Sequence, residues 1–163
     1  MNLDLQTTEL LDGLARQQQM RSRRAERIAA QLARLGYKDS YAGALQLANG
    51  SGLGRPHFAH YLVEAGAVSN FQQAFKRYLA AGKPAYVRAE WANIEQVCGW
   101  IAAAGGVAVL AHPLKYKMTL TKLRSLLVAF KDVGGDGIEV ISGAQRPEQT
   151  RSMAALARQF ELQ

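Results

Sequence analysis

The twelve residues GGVAVLAHPLKY, positions 105 to 116, end a continuous apolar run in a single histidine, His112, set directly before Pro113. A β-type run of this kind is core, and its C-terminal end is where α/β folds open their loops to solvent. A neutral imidazole there can ligate a metal, shuttle a proton or cap the backbone that follows, and Pro113 stiffens the turn that aims it. A second run, GIEVIS at 137–142, carries Glu139 close to its C-terminal end. A carboxylate inside such a run is costly unless paired or coordinated, so either an arginine partner or a metal is expected for it.

A separate constellation is GSGLGRPHFAH at 50–60, a glycine-rich loop running into a helix start that carries Arg55 and His57. Backbone amides, the positive end of a helix and a guanidinium fork all favour an anion, phosphate above all, although an ordinary helix-helix turn has the same composition. The loop has no Gly-Lys-Ser/Thr and follows a helix rather than a strand, so it is not a nucleotide-binding fingerprint. His60, one turn beyond His57, is expected to pack in the helical cluster. Further upstream, Arg16, Arg21, Arg23, Arg24, Arg27 and Arg34 stand against Glu26 alone and supply most of the chain's formal charge of +7. Such a face attracts phosphates and nucleic acid, or merely keeps a long helix solvated.

The elements that must position these residues follow from periodicity and punctuation. Leu14, Ile28, Leu32 and Leu35 fall at helical spacing and Gly36 supplies a stop, which predicts one long amphipathic helix from Thr7 to Leu35. Ser40 is expected to cap a shorter helix ending at Asn49-Gly50, Pro56 to start a third, and Ser69 to cap a fourth over NFQQAFKRYLA. After Pro84 the pattern changes to strand, helix, strand, helix, with both strands apolar throughout, as parallel strands covered on both faces are. The expected organisation is therefore α/β, with a helical subdomain over 1–83 and alternating strands and helices over 84–163 whose strands lie near 107–111 and 137–141.

A chain of 163 residues, 48% hydrophobic and 20% charged, can bury a core and is far from a disordered composition. No apolar run approaches the roughly 20 residues of a membrane span, and the polar start MNLDLQTTELLDG is unlike a signal peptide, so a cytoplasmic protein is expected. Cys98 has no second cysteine to pair with and reads as a buried structural thiol.

Four ordered stretches, GRPHFAHYLVEAGAV, AFKRYLAAGKPAYV, GGVAVLAHPLKY and GGDGIEVISG, resemble the metal-dependent phosphoesterases of the polymerase-and-histidinol-phosphatase (PHP) family. The resemblance runs from about Arg16 to the end of the chain. It implies a distorted, TIM-like β/α barrel with a small all-helical insertion. It also implies a cluster of manganese, zinc or iron ions that activates water, and a substrate that is a phosphorylated nucleotide or the 5′ end of a short RNA. Carried onto this sequence, it makes His112 a metal ligand, and Arg55 and His57 substrate or phosphate contacts. Lys115 and Tyr116 become weaker substrate contacts, and Glu139, from its place near the end of the second strand, is a candidate to support the metal site. The family's His-x-His and Ser-Asp-x-His strands have no match, since His57, His60 and His112 are the only histidines. The chain is thus expected to be a central piece of such an enzyme, inactive alone. The competing readings are a non-catalytic nucleic-acid or phosphate-binding module and a purely structural role.

Overall fold

The computed structural model describes residues 3–50 and 52–163. It divides into two compact units, one formed by residues 14–91 and the other by residues 1–13 together with 92–163.

The 14–91 unit is helical. Most of α1 (Thr8–Arg34) belongs to it, followed by α2 (Ser40–Ala48), α3 (Arg55–Glu64) and α4 (Phe71–Ala74), which continues as one π-helical stretch over Phe75–Leu79. Its core is built from the apolar stripe of α1 (Ala25, Ile28, Ala29, Leu32) against Ala44, Phe58, Leu62 and Leu79. The helices α2 and α3 cross closely because Gly43 has no side chain: a Cβ there would lie 2.3 Å from the Tyr61 ring. Two caps differ from expectation. Asp39, not Ser40, precedes α2; Ser40 is the first helical residue, fully buried, and makes no cap bond. Asn70, not Ser69, caps α4, its Oδ1 accepting from the Gln73 amide. Asn and Ser compete for adjacent positions in both the chemistry and the spacing of a cap, and the amide carbonyl of Asn70 wins.

The other unit alternates α and β: α5 (Ile94–Ala103), β1 (Val109–Leu110), α6 (Leu120–Asp132), β2 (Gly137–Ile138) and α7 (Pro147–Gln159). The strands pair in parallel, Val109 with Gly137 and Leu110 with Ile138, across the α6 connection. Cys98, Leu127, Phe130, Ile138, Met153 and Leu156 form the core. Backbone bonds between Gln163 and both Asp136 and Ile138 extend the pairing on the β2 side. The expectation that both strands are covered on both faces is not met at β1 among the described residues, where the sheet has two strands and Val109 is 55% exposed. Gly13, at the foot of α1, meets the Trp100 ring where a Cβ would stand 2.3 Å from the indole. No helix among the described residues is long and apolar enough to cross a membrane.

Candidate phosphate cavity and histidine mount

In the 14–91 unit, Arg21 and Arg24 lie one turn apart on α1 and face the loop of Leu53, Gly54 and Arg55 that opens α3. Together with Ile28 and Trp91 they line a cavity of about 180 Å³. Three guanidinium-bearing residues and no carboxylate line it among the described residues. Each arginine is held. Arg24 donates through Nε to the Val87 carbonyl at 3.0 Å. The Arg21 guanidinium lies over the Trp91 ring at 5.6 Å, and that of Arg55 over Phe75 at 5.7 Å. Burial pushes the Arg24 pKa down, and the Arg55 charge pushes it further, the electrostatic mark of cations gathered without an anion between them. Gly52 brings the backbone close to this cluster, since a Cβ there would meet the Arg21 guanidinium at 2.8 Å.

The helix end contributes less to anion attraction than the sequence suggests. Pro56 has no amide proton, the His57 amide donates to the Gly54 carbonyl, and the Gly54 amide donates to His57 Nδ1 at 3.1 Å. His57 therefore caps the start of α3 with its ring, the N3 half of a capping box whose N-cap glycine has no side chain, and does not line the cavity. His60 is exposed, its ring against Phe71 at 5.0 Å, rather than packed in the cluster.

The second group lies in the α/β unit. His112 follows β1 in left-handed backbone, φ 37° and ψ 54°, and is exposed. Glu139, just past β2, meets neither an arginine nor a set of metal donors: its Oε2 accepts the His112 backbone amide at 2.5 Å, while its own amide bonds the Leu110 carbonyl. The carboxylate thus fixes the turn that carries the imidazole. Tyr116 packs edge-on to His112, centroids 6.1 Å apart, and donates its hydroxyl to the Ala111 carbonyl. Burial, then the Glu139 charge, raises the Tyr116 pKa, which keeps that hydroxyl a donor. Lys115 is exposed beside them. No group of three metal-donor side chains occurs among the described residues, so His112 and Glu139 do not by themselves make a metal site.

Trp91 is the cavity residue that sequence reasoning did not single out; Arg21 and Arg24 stood out as members of the arginine-rich face, with nothing to tie them to the Gly54–Arg55 loop. Their three-residue spacing ahead of Ile28 puts both beside the core-facing stripe of α1.

No family model matches the chain. It is 44% identical over 163 residues to a 5′-3′ exoribonuclease of Haemophilus influenzae, covering all of this chain and 59% of that protein. It is 40% identical over 162 residues to the 5′-3′ exoribonuclease Rnm of Escherichia coli (99% and 55% covered). A 3′,5′-nucleoside bisphosphate phosphatase of Chromobacterium violaceum is 37% identical over 155 residues (94% and 54% covered). Two solved structures share the fold over 98% of this chain and 57% of theirs. One is an amidohydrolase from Chromobacterium violaceum with bound sulfate and no metal, at TM-score 0.85 and 37% identity. The other is described as a metal-dependent phosphoesterase from Bifidobacterium adolescentis, at TM-score 0.77 and 27% identity. The chain spans between one half and three fifths of the length of the curated relatives it matches. Along its whole length it is therefore a homologue of bacterial proteins named 5′-3′ exoribonuclease and 3′,5′-nucleoside bisphosphate phosphatase, and it matches a part of each.

Proposed function

We propose that this chain supplies the substrate-holding part of a phosphoesterase that acts on a phosphorylated nucleotide or the 5′ end of a short RNA. The observation that carries the reading is the cavity where Arg21, Arg24 and Arg55 converge beside Trp91 with no carboxylate among its lining residues. Guanidinium forks match phosphate oxygens in pairs, and their net repulsion is relieved when an anion arrives. The names of the relatives point to the same class of ester.

In this reading the α/β unit is part of a β/α barrel, and His112 is one metal ligand, aimed by Glu139 and flanked by Tyr116 and Lys115 on the substrate side. A divalent ion would supply Lewis-acid activation of water. The described residues present too few donors to hold one on their own. What the chain's own residues do is bind and orient: Arg55, Arg24 and Arg21 hold the phosphate that is not cut, and His57 keeps Gly54 and the α3 start in place for Arg55.

Titration with a nucleoside 3′,5′-bisphosphate and with the corresponding monophosphate tests this. A charge-assisted paired contact contributes roughly 1.5–3 kcal/mol, so Arg55→Ala should weaken the bisphosphate about 10- to 100-fold and the monophosphate far less, with Arg55→Lys recovering part of the loss. Equal losses on both ligands, or none on either, would show that Arg55 serves the fold or that the loop is only a turn.

A further inference from the structure

A second cavity of about 420 Å³ lies along α1, lined by Arg16, Arg23, Arg24, Arg27 and Arg88 with Glu90. Arg24 also lines the first cavity, so the two adjoin through one side chain. We infer that this groove is a track for a single-stranded nucleic acid whose terminal phosphate sits in the Arg21–Arg24–Arg55 cavity, so that it selects oligonucleotides over mononucleotides. The inference rests on the phosphate reading of the first cavity and extends it.

Three physical points separate such a track from a solvated helix face. Arg16, Arg23 and Arg27 fall at i, i+7 and i+11, which aligns them on one side of α1 over about 16 Å, room for at most about five nucleotides at roughly 3.4 Å each. Second, the charge is almost uncompensated within the fold. Arg27 and Glu90 approach to 3.8 Å with side chains 66% and 70% exposed, a weak pair, and Glu26 forms no ion pair among the described residues. Like charges at i, i+4, as Arg23 and Arg27 are, weaken a helix rather than support it. Third, Trp91 is 52% exposed at the first cavity, its ring already covered on one side by the Arg21 guanidinium. An exposed aromatic beside a cationic groove is the arrangement on which nucleobases stack, and an acidic peptide has no use for it.

The test is fluorescence anisotropy with 5′-phosphorylated oligoribonucleotides of one to eight residues, on the chain and on the Arg23→Ala/Arg27→Ala double variant. Both positions are exposed on a helix, where alanine is well tolerated. Affinity should rise with length to about five nucleotides and then level off. The double variant should flatten the salt dependence of the five-residue ligand by about 1.4 in d log K/d log[salt], about 0.7 for each phosphate contact on a single strand. At 0.1 M salt that corresponds to an approximately 25-fold loss relative to the 1 M limit, well beyond the loss on a mononucleotide. Glu90→Gln should act the other way and tighten the five-residue ligand. Length-independent binding, an unchanged salt slope in the double variant, or equal competition by a polyglutamate peptide of matched charge would overturn the inference. If instead the bisphosphate fails to bind, or Arg55→Ala has no effect on it, the phosphate reading fails, whereas length and salt slope report on the groove alone.

Discussion

Arg24 stands where the two cavities meet, and replacing it with methionine separates folding from ligand holding. The substitution keeps an unbranched side chain and removes the charge and the Nε donor. The lost bond to the Val87 carbonyl, 3.0 Å long, is of the charged-donor class worth about 1.5–3 kcal/mol, and its partial exposure puts it at the lower end. Opposing this loss, burial and the Arg55 charge both depress the Arg24 pKa. A base whose pKa falls on folding binds its proton more weakly in the native state, so at neutral pH the charged form is held at a full cost that fades only as pH climbs into the guanidinium range. Methionine relieves that cost, so about 1.5 kcal/mol is a ceiling on the destabilisation. At 2–4 °C per kcal/mol for a chain of this size, the ligand-free melting temperature should fall by at most about 3–6 °C. Ligand changes the comparison. A bisphosphate at about 100 times Kd stabilises the wild type by about 2.7 kcal/mol; a 10- to 100-fold weaker variant gains only about 0.4–1.4 kcal/mol at the same concentration. The gap in melting temperature should therefore widen with ligand by about 3–9 °C, readable by scanning calorimetry. A gap that stays constant as ligand is added would refute the reasoning and reduce Arg24 to a structural residue.

Gly13→Ala should destabilise the chain, because about 1 kcal/mol of helix propensity is outweighed by roughly 1–3 kcal/mol of overpacking against the Trp100 ring. In a Trp100→Ala background the same change should stabilise, and urea titrations of the four proteins read the sign; the same sign in both backgrounds would contradict the contact. The Cys98 thiol is buried, and burial, followed by the Asp136 charge, raises its pKa. Iodoacetamide at pH 8 should label it only in urea, and rapid labelling of the native chain would count against a structural thiol. Tyr37, through its hydroxyl bond to Tyr78, and Tyr61, through burial, are both raised above the ordinary phenol value of 10.0. Groups that hold their protons more tightly when folded contribute stability below their unfolded pKa and lose it above. Unfolding free energy should thus begin to fall as pH rises past 10, and a flat profile from pH 9 to 11 would exclude the contribution.

The helices were legible because their determinants are local. The stripe of Ile28 and Leu32 and the stops at Gly36 and Gly66 place α1 and α3 to within a residue or two. Caps were legible only to the neighbouring residue, as Asp39 and Asn70 show, since two adjacent polar residues satisfy the same rule and the backbone chooses between them. Arg55 could be singled out from its own loop. Arg21 and Arg24 stood out as part of a basic face but not as its partners, because spacing says which face of α1 they share and nothing about which loop lies against it. The bond between Glu139 and the His112 amide spans 27 residues of sequence and exists only through the register that pairs Leu110 with Ile138. The π-helical stretch at Phe75–Leu79 has no signature that we can identify in the residues themselves.

The left-handed backbone of His112 also bears on how this protein can change over generations. An L-residue in that conformation costs about 1–2 kcal/mol that glycine does not, a sizeable fraction of the 5–15 kcal/mol on which a domain survives. Position 112 is therefore open to glycine, whose freedom from that strain offsets the roughly 0.5–1 kcal/mol of extra entropy it loses on folding, and in the proposed reading it is the use of the imidazole that opposes the exchange. In a lineage that abandoned that use, drift would carry the site to glycine or asparagine while the strand, the proline and the Glu139 clasp stayed intact. On that reading, glycine or asparagine at this one position in a related sequence would mark a corner no longer at work.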